Sequence, residues 1–405
     1  MTNPLLSIVI ATKNRQKYAF SAVKSILSIN DNRINVVVQD NSDNQTLKEK
    51  LNEFSTDERL MYRYTNDNLS FIDNFNYSLE ISKGKYLCMI GDDDGINPEI
   101  IEATQWAYNN NVEVLVGNLS VNYRWDGIGT QDTFFTKMTG STLTIETFSG
   151  RVFYPDIKKE LIRFAQNGCT NYTDFKLPKL YHGIVRRDCL EKIKNLTGAY
   201  FKGLSPDIYS SIALATVIKS LIYIDYPLTI PGVCVQSGSV QEGQIKKHSK
   251  RMEDAPHLQH RGLYKWEKNV PPIYCVQTIW ADSSFAALRE MKQEVVINNF
   301  KEFSLYANIV AENRTLRNDV FLFMDERRNK SSFLTKLKDR LYFMYIYIKK
   351  PIFKFLSVRV LKRILFVLRI KRLESKTGLK DIMTAMNYLN KYLKENNFRI
   401  ENHLK

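Results

Sequence analysis

Tyr86-Leu87-Cys88-Met89-Ile90, running straight into Gly91-Asp92-Asp93-Asp94-Gly95, is the stretch on which the fold turns. Five apolar residues closed by a turn former read as a buried strand. Three consecutive carboxylates at its end repel one another unless a cation neutralises them. Upstream, Leu5 to Ala11 and Ile34 to Gln39 are continuous, β-branched apolar runs, the pattern of parallel strands covered on both faces. Between them Ala19, Val23, Ile26 and Leu27 recur at helical spacing, and Asn30-Asp31-Asn32 ends that helix. Arg59 to Tyr64 predicts a third strand. Ile72, Phe75 and Leu79 give the next helix its buried face, with Gly84 placed to close it. Pro98 suits the first turn of a further helix, and another strand follows at Val112 to Val116. Strand and helix thus alternate through about residue 120, which predicts an α/β fold with a mostly parallel sheet and helices on both faces.

Open sheets of this kind bind ligands outside the carboxyl ends of their strands, where the Asp run stands. A solvated acidic turn is the plain alternative, and the strand-end position favours a ligand site. Oxygen donors with no His or Cys beside them suit Mg²⁺ or Mn²⁺ and not structural zinc. Asp40, after Val36-Val37-Val38-Gln39, could accept hydrogen bonds from a nucleobase or ribose, or simply cap the turn Asp40-Asn41-Ser42-Asp43. The first strand leads into Thr12-Lys13-Asn14-Arg15, whose hydroxyl, amide and basic groups suit a nucleotide at the head of a helix. The same residues could equally serve as caps and a surface charge.

Together, and in this order, these segments resemble the family 2 glycosyltransferases of GT-A fold. Ser7 to Arg15 is similar to that family's opening strand and loop, with Ala11 and Lys13 where Pro and Tyr are more usual. Val36 to Ser42 resembles its second strand, which implies that Asp40 contacts uracil. Asn66 to Asn76 and Lys83-Gly84-Lys85-Tyr86-Leu87 resemble its Asn-rich helix and the approach to the metal strand. Asp92-Asp93-Asp94 then stands as the Asp-x-Asp motif. Counting back from Pro98 favours Asp93 as metal ligand, a literal Asp-x-Asp reading favours Asp94, and the register stays open between them. Tyr181-His182-Gly183-Ile184-Val185-Arg186-Arg187 resembles the segment that returns beneath the donor sugar, which implies places for His182 and Arg186 near the site; a His in such a strand can also be a satisfied core residue. Ser205-Pro206-Asp207 resembles the family's Glu-Asp at the head of an acceptor-side helix, with Pro206 in place of Glu. The resemblance implies that Asp207 is the general base of an inverting transfer. The alternative is an Asp favoured there by the helix dipole.

The resemblance extends over about residues 5 to 235, and it implies a nucleotide-sugar donor bound by Thr12, Arg15, Asp40, Asp92, Asp93, His182 and Arg186. The cofactor would be Mn²⁺ or Mg²⁺ on Asp93 and Asp94. The acceptor would be a glycan or lipid-linked glycan of a surface polysaccharide such as capsule or O-antigen. The chain divides accordingly into 1–235 as catalytic unit, 236–330 as a mostly helical extension and 331–405 as a basic amphipathic helical tail.

With 405 residues, 44% hydrophobic and 25% charged, the chain has ample material for a core and no bias of a disordered kind. Cys88, Cys169, Cys189, Cys234 and Cys275 lack C-x-x-C spacing and are odd in number, which argues against a disulfide framework or a zinc site and fits a reducing cytoplasm. The run Leu5 to Ala11 is too short for a signal peptide, and no stretch reaches the ~18 to 20 uncharged apolar residues of a transmembrane helix. The formal charge is +15, and much of it lies between Thr335 and Leu373, where twelve Lys or Arg and one acid are interleaved with Phe, Tyr, Leu, Ile and Val. That mixture predicts helices lying on an anionic membrane surface, broken in two at Pro351, and hence a peripheral enzyme on the inner face of the plasma membrane. A basic helical pair packed on the catalytic unit or a partner chain is the alternative. Nucleic-acid binding is the competing function, but three Asp at a strand end would repel phosphates, so no nucleic acid is expected. A catalytically inactive interaction module of the same fold is a third reading, against which the intact Asp run and Asp207 weigh.

Overall fold

Each apolar run of the first half becomes a strand because its alternate residues can be buried on both sides of one sheet. The computed structural model describes residues 3–128, 140–237, 256–328, 332–355 and 373–404. In chain order, β1 (Leu6–Thr12), α1 (Gln16–Leu27), β2 (Ile34–Asp40), α2 (Thr46–Leu51), β3 (Leu60–Tyr64), α3 (Phe71–Glu80) and β4 (Tyr86–Ile90) follow the expected alternation. A short β5 (Gly95–Ile96), α4 (Ile100–Asn109), β6 (Val114–Asn118), β7 (Val121–Arg124), β8 (Thr142–Glu146), β9 (Val152–Phe153) and α5 (Ile157–Gln166) come next. Then follow β10 (Gly183–Arg186), α6 (Arg187–Thr197), α7 (Pro206–Val217), β11 (Leu221–Pro227), β12 (Thr229–Ile230) and β13 (Gly232–Val233). The C-terminal part holds α8 (Val276–Glu290), α9 (Glu294–Asn298), α10 (Glu302–Glu312), α11 (Arg317–Arg327), α12 (Phe333–Phe355), β14 (Leu373–Thr377) and α13 (Ile382–Glu395).

The main sheet has the order β3-β2-β1-β4-β10-β6-β11-β9. Strands β1 to β4 are parallel, β10 runs antiparallel to both β4 and β6, and β9 runs antiparallel to β11. Along β1 the side chains of Leu6, Ile8 and Ile10 enter one core while Val9 enters the other, the period-2 consequence of a pleated strand. Helices α1, α2, α4 and α13 cover the first face, and α3, α5, α6, α7, α8 and α10 cover the second. The α/β architecture with helices on both faces is therefore as expected.

Four local expectations change. Helix α3 stops at Glu80 with Ile81 as its C-cap, so Gly84 does not end it; the Gly84 N–H instead donates to Ser7 Oγ at 2.8 Å, tying the loop to β1. Pro98 lies in the turn just before α4. Helix α12 continues through Pro351 to Phe355, since a proline removes one N–H from the ladder and can bend a helix without ending it. Residues 373–404 are no detached tail. Strand β14 pairs antiparallel with β8, Thr377 opposite Thr142, in a second sheet of order β13-β7-β8-β14. Helix α13, opened by a capping box in which Asp381 accepts the Thr384 N–H at 2.8 Å, buries Ile382, Ala385, Met386, Leu389 and Leu393 in the same core as α1. The five cysteines form no disulfide and are buried. Among the described residues no helix is long and apolar enough to cross a membrane. The second half of the basic stretch, residues 356–372, lies outside the described residues.

Candidate functional site

Strand β1 has β2 on one side and β4 on the other. The chain runs outward from β1 to β3 and then returns to β4, so a crevice opens where the carboxyl ends of β1 and β4 diverge. Thr12 ends β1 and stands opposite Asp40 at the end of β2. Asp92 follows β4 by two residues, and the Thr12 hydroxyl donates to its Oδ2 at 2.6 Å across the gap.

The three acids are buried, and the protein supplies a cation for them. The Arg15 guanidinium, at the head of α1, reaches Asp92 Oδ1 and Asp93 Oδ2, each at 2.9 Å. Asp93 Oδ2 also accepts from the Ser237 hydroxyl at 2.5 Å, and its main-chain carbonyl accepts the Trp125 indole N–H at 2.8 Å. Asp94 is held differently. Its Oδ1 accepts the Gly232 N–H at 2.6 Å, and its Oδ2 accepts the Gly91 N–H at 2.6 Å and the Tyr181 hydroxyl at 3.1 Å. Gly232 is required there, because a Cβ would stand 1.8 Å from the Asp93 carbonyl oxygen. Burial raises the carboxyls of Asp92 and Asp94 above the usual range; the neighbouring Asp93 adds to this, and Arg15 pulls Asp92 back. Burial draws the Arg15 guanidinium down, but Asp92 and Asp93 more than reverse it.

Asp40 is fully buried. Its Oδ1 accepts the Ser42 N–H at 2.9 Å and its Oδ2 the Tyr62 hydroxyl at 2.8 Å, so the turn-capping arrangement is present. His182 packs beside β4, its N–H donating to the Met89 carbonyl at 2.9 Å, with φ 63° in the left-handed region. Its Nδ1 lies 2.9 Å from Thr229 Oγ1 and its Nε2 3.4 Å from Asp94 Oδ2. Burial, helped by Lys179, lowers its pKa to about 3, so the ring is neutral and its contact with Asp94 is no ion pair.

Asp207 lies in the first turn of α7, half-buried. Burial raises its pKa to about 6, and the Lys179 ammonium draws it back. Lys179 is itself lowered to about 8 by burial, against the pull of Asp174 and Asp207. The Tyr181 phenol is raised by burial and then by Asp94 and Asp207, so it feels the acid cluster and the α7 carboxylate together. Arg186 does not join them. Strand β10 runs antiparallel to β4 with Arg186 opposite Tyr86, at the far end from Asp92, so each step on from His182 leads away from the crevice. Arg186 pairs instead with Asp188 at 2.7 Å and Glu113 at 3.2 Å.

The sequence reading missed the strap 231–237, which brings Gly232, Cys234 and Ser237 over the acids. It also passed over Trp125, Lys179 and Tyr181 as individual residues. Only Tyr181 and Lys179 lay near a motif that could have drawn attention to them.

As a metal site the cluster fits in part. Asp93 and Asp94 aim at different partners, and among the described residues no three His, Cys, Asp or Glu side chains converge in metal-binding geometry. Asp94 is committed to two main-chain N–H groups. Asp92 Oδ1 meets the Arg15 guanidinium at 2.9 Å as an ion pair outside hydrogen-bond geometry, and with Asp93 it faces the position that Arg15 fills. Asp93 and Asp92 are the residues that would hold a hard cation there, in exchange for the guanidinium.

Residues 7–168 match glycosyl transferase family 2. Over 99 residues the chain is 32% identical to WcaA of Escherichia coli (strain K12), assigned as a colanic acid biosynthesis glycosyl transferase; the match covers 24% of this chain and 35% of that protein. The chain thus spans about a third of that relative's length. Among solved structures, S. aureus TarS 1–349 in complex with UDP-GlcNAc aligns with a TM-score of 0.42 at 15% identity, covering 85% of this chain and 80% of that one. The mannosyltransferase PcManGT from Pyrobaculum calidifontis, in complex with GDP-Man and Mn²⁺, aligns with a TM-score of 0.37 at 11% identity, covering 86% and 87%.

Proposed function

From a chain whose residues 7–168 match glycosyl transferase family 2, we propose transfer of a sugar from a nucleotide-sugar donor, a UDP-sugar, to a glycan or lipid-linked glycan. The product is a surface polysaccharide of the capsule or O-antigen type, made at the cytoplasmic face of the plasma membrane. The observation that carries this reading is the bridge at the switch point: Thr12 holds Asp92 at 2.6 Å, and Arg15 spans Asp92 and Asp93. An anion-binding guanidinium is thereby kept beside carboxylates at the carboxyl ends of β1 and β4.

In this mechanism Arg15 exchanges the Asp carboxylates for the donor diphosphate, one anionic partner for another of suitable geometry. Asp40 and Thr12 border the nucleoside, and neutral His182 borders the sugar. Asp93, with Asp92 beside it, would hold Mn²⁺ or Mg²⁺, and such an ion would supply positive charge against the departing diphosphate. Asp207 removes the acceptor hydroxyl proton on the opposite face, giving inversion in a single displacement. Its pKa of about 6 supports this, because such a group is ionised at neutral pH yet basic enough to take a proton.

The test is calorimetric binding and donor hydrolysis across a panel of UDP-, GDP- and dTDP-sugars, with Mn²⁺ and with chelator. Binding of at least one UDP-sugar that Mn²⁺ strengthens is expected. A chain that binds no nucleotide sugar in either condition is not this enzyme.

A further inference from the structure

Helix α12 is amphipathic twice over. One face is anchored in the protein: Phe343 is buried against Phe321, ring centroids 5.3 Å apart, and Tyr342 meets Phe303 at 5.3 Å. At 3.6 residues per turn, Leu334, Leu337, Leu341, Tyr345 and Ile348 fall in one stripe on the side opposite Phe343. Those five residues, with Phe333 at the helix start, are between 43% and 77% exposed. A contiguous run of large apolar side chains held outward on a docked helix marks a contact surface, since a chain without a partner rarely leaves one in water.

The charge around the stripe chooses the partner. Between Phe333 and Phe355 there are six Lys or Arg and one acid. That acid, Asp339, turns inward to Arg328 at 2.9 Å, while Lys338 and Lys349 are exposed beside the stripe. We infer that this face of α12 docks the protein on an anionic lipid bilayer, with Leu334, Leu337, Leu341, Tyr345 and Ile348 entering the headgroup boundary and the flanking lysines meeting lipid phosphates. A second copy of the chain is disfavoured as occupant because pairing two such faces would set lysine against lysine. A nucleic acid would leave the aliphatic side chains with nothing apolar to cover them.

Flotation of the purified full-length chain with vesicles tests this, comparing phosphatidylcholine alone with phosphatidylcholine containing phosphatidylglycerol. The chain is expected to float with the anionic vesicles, less so at high salt, and to remain below with the neutral ones. The triple variant Leu337→Gln/Leu341→Gln/Ile348→Gln should lose binding by about tenfold or more. Because these side chains are exposed, its melting temperature and donor binding should match wild type. Undiminished flotation of the triple variant overturns the inference. So does a concentration-dependent dimer, seen by sedimentation, that the variant abolishes while vesicle binding persists, or displacement of the chain from a labelled RNA by the same substitutions without any flotation of wild type.

Discussion

The acids at the end of β4 and the acid at the head of α7 both act on Tyr181 but are held in opposite ways. Asp92 is fixed by Thr12 and Arg15, Asp93 by Arg15 and Ser237, and Asp94 by two main-chain N–H groups and Tyr181. Among the described residues no hydrogen bond fixes the Asp207 carboxylate, and Lys179 is the cation that acts on it. A carboxylate saturated by donors shapes a pocket and fixes where charge sits, while one left open near neutral pKa can exchange a proton. In the proposed mechanism the two regions divide the labour of donor positioning and acceptor activation.

The sharpest break of that comparison is Asp207→Asn. Turnover should fall by about a thousandfold, as expected for loss of a general base, while calorimetric donor affinity stays at the wild-type value. The pH dependence follows with a definite sign: the base acts when ionised, so wild-type kcat should decline as pH falls through about 6, well above the ordinary Asp range. Lys179→Met removes the cation that opposes the shift, so the acidic limb should move to higher pH. Wild-type turnover in the Asn variant would remove Asp207 from the chemistry and leave the two regions without distinct roles.

A second test addresses the saturated side. Arg15→Gln leaves Asp92 and Asp93 buried without their cation, which should cost about 3 kcal/mol of unfolding free energy in urea titrations. If Asp93 and Asp92 grip a divalent ion, Mn²⁺ should restore more stability to this variant than to wild type, since the ion and the guanidinium compete for one position. Identical curves in Mn²⁺ and in chelator would show that these carboxylates hold no metal.

How far each region could be read in the sequence follows from the range of its contacts. Strands β1, β2 and β4 were legible because two-sided burial writes a continuous apolar run, and the acids were legible because they follow such a run directly. Asp207 was singled out only through the resemblance of Ser205-Pro206-Asp207 to the head of the family's acceptor-side helix, since an Asp in a first helical turn needs no function. The strap carrying Gly232, Cys234 and Ser237 was not, since it reaches Asp93 and Asp94 across 138 to 144 residues and no local pattern encodes that return. The same holds for β14 and α13, whose polar strand finds its partner in β8 only through tertiary packing. Pro351 misled because a proline inside an otherwise strong helical pattern bends the helix more readily than it ends it.

Arg186 gives the smallest expected effect and tests the register on which the comparison stands. The resemblance implied a place for it near the donor, yet β10 carries it to the amino end of β4, opposite Tyr86. There its partners are Asp188, half exposed, Asn111 at 2.5 Å and Glu113. Glu113 keeps the main-chain N–H groups of Lys219 and Ser220 when the guanidinium is removed, so its charge is not stranded. Arg186→Ala should therefore lower stability by less than about 1 kcal/mol, the range of a surface ion pair, and leave donor affinity unchanged. His182→Ala is the matched control four residues earlier on the same segment, beside Asp94. A marked loss of donor binding in the Arg186 variant but not in the His182 variant would mean that β10 is threaded the other way, and the crevice would have to be rebuilt around it.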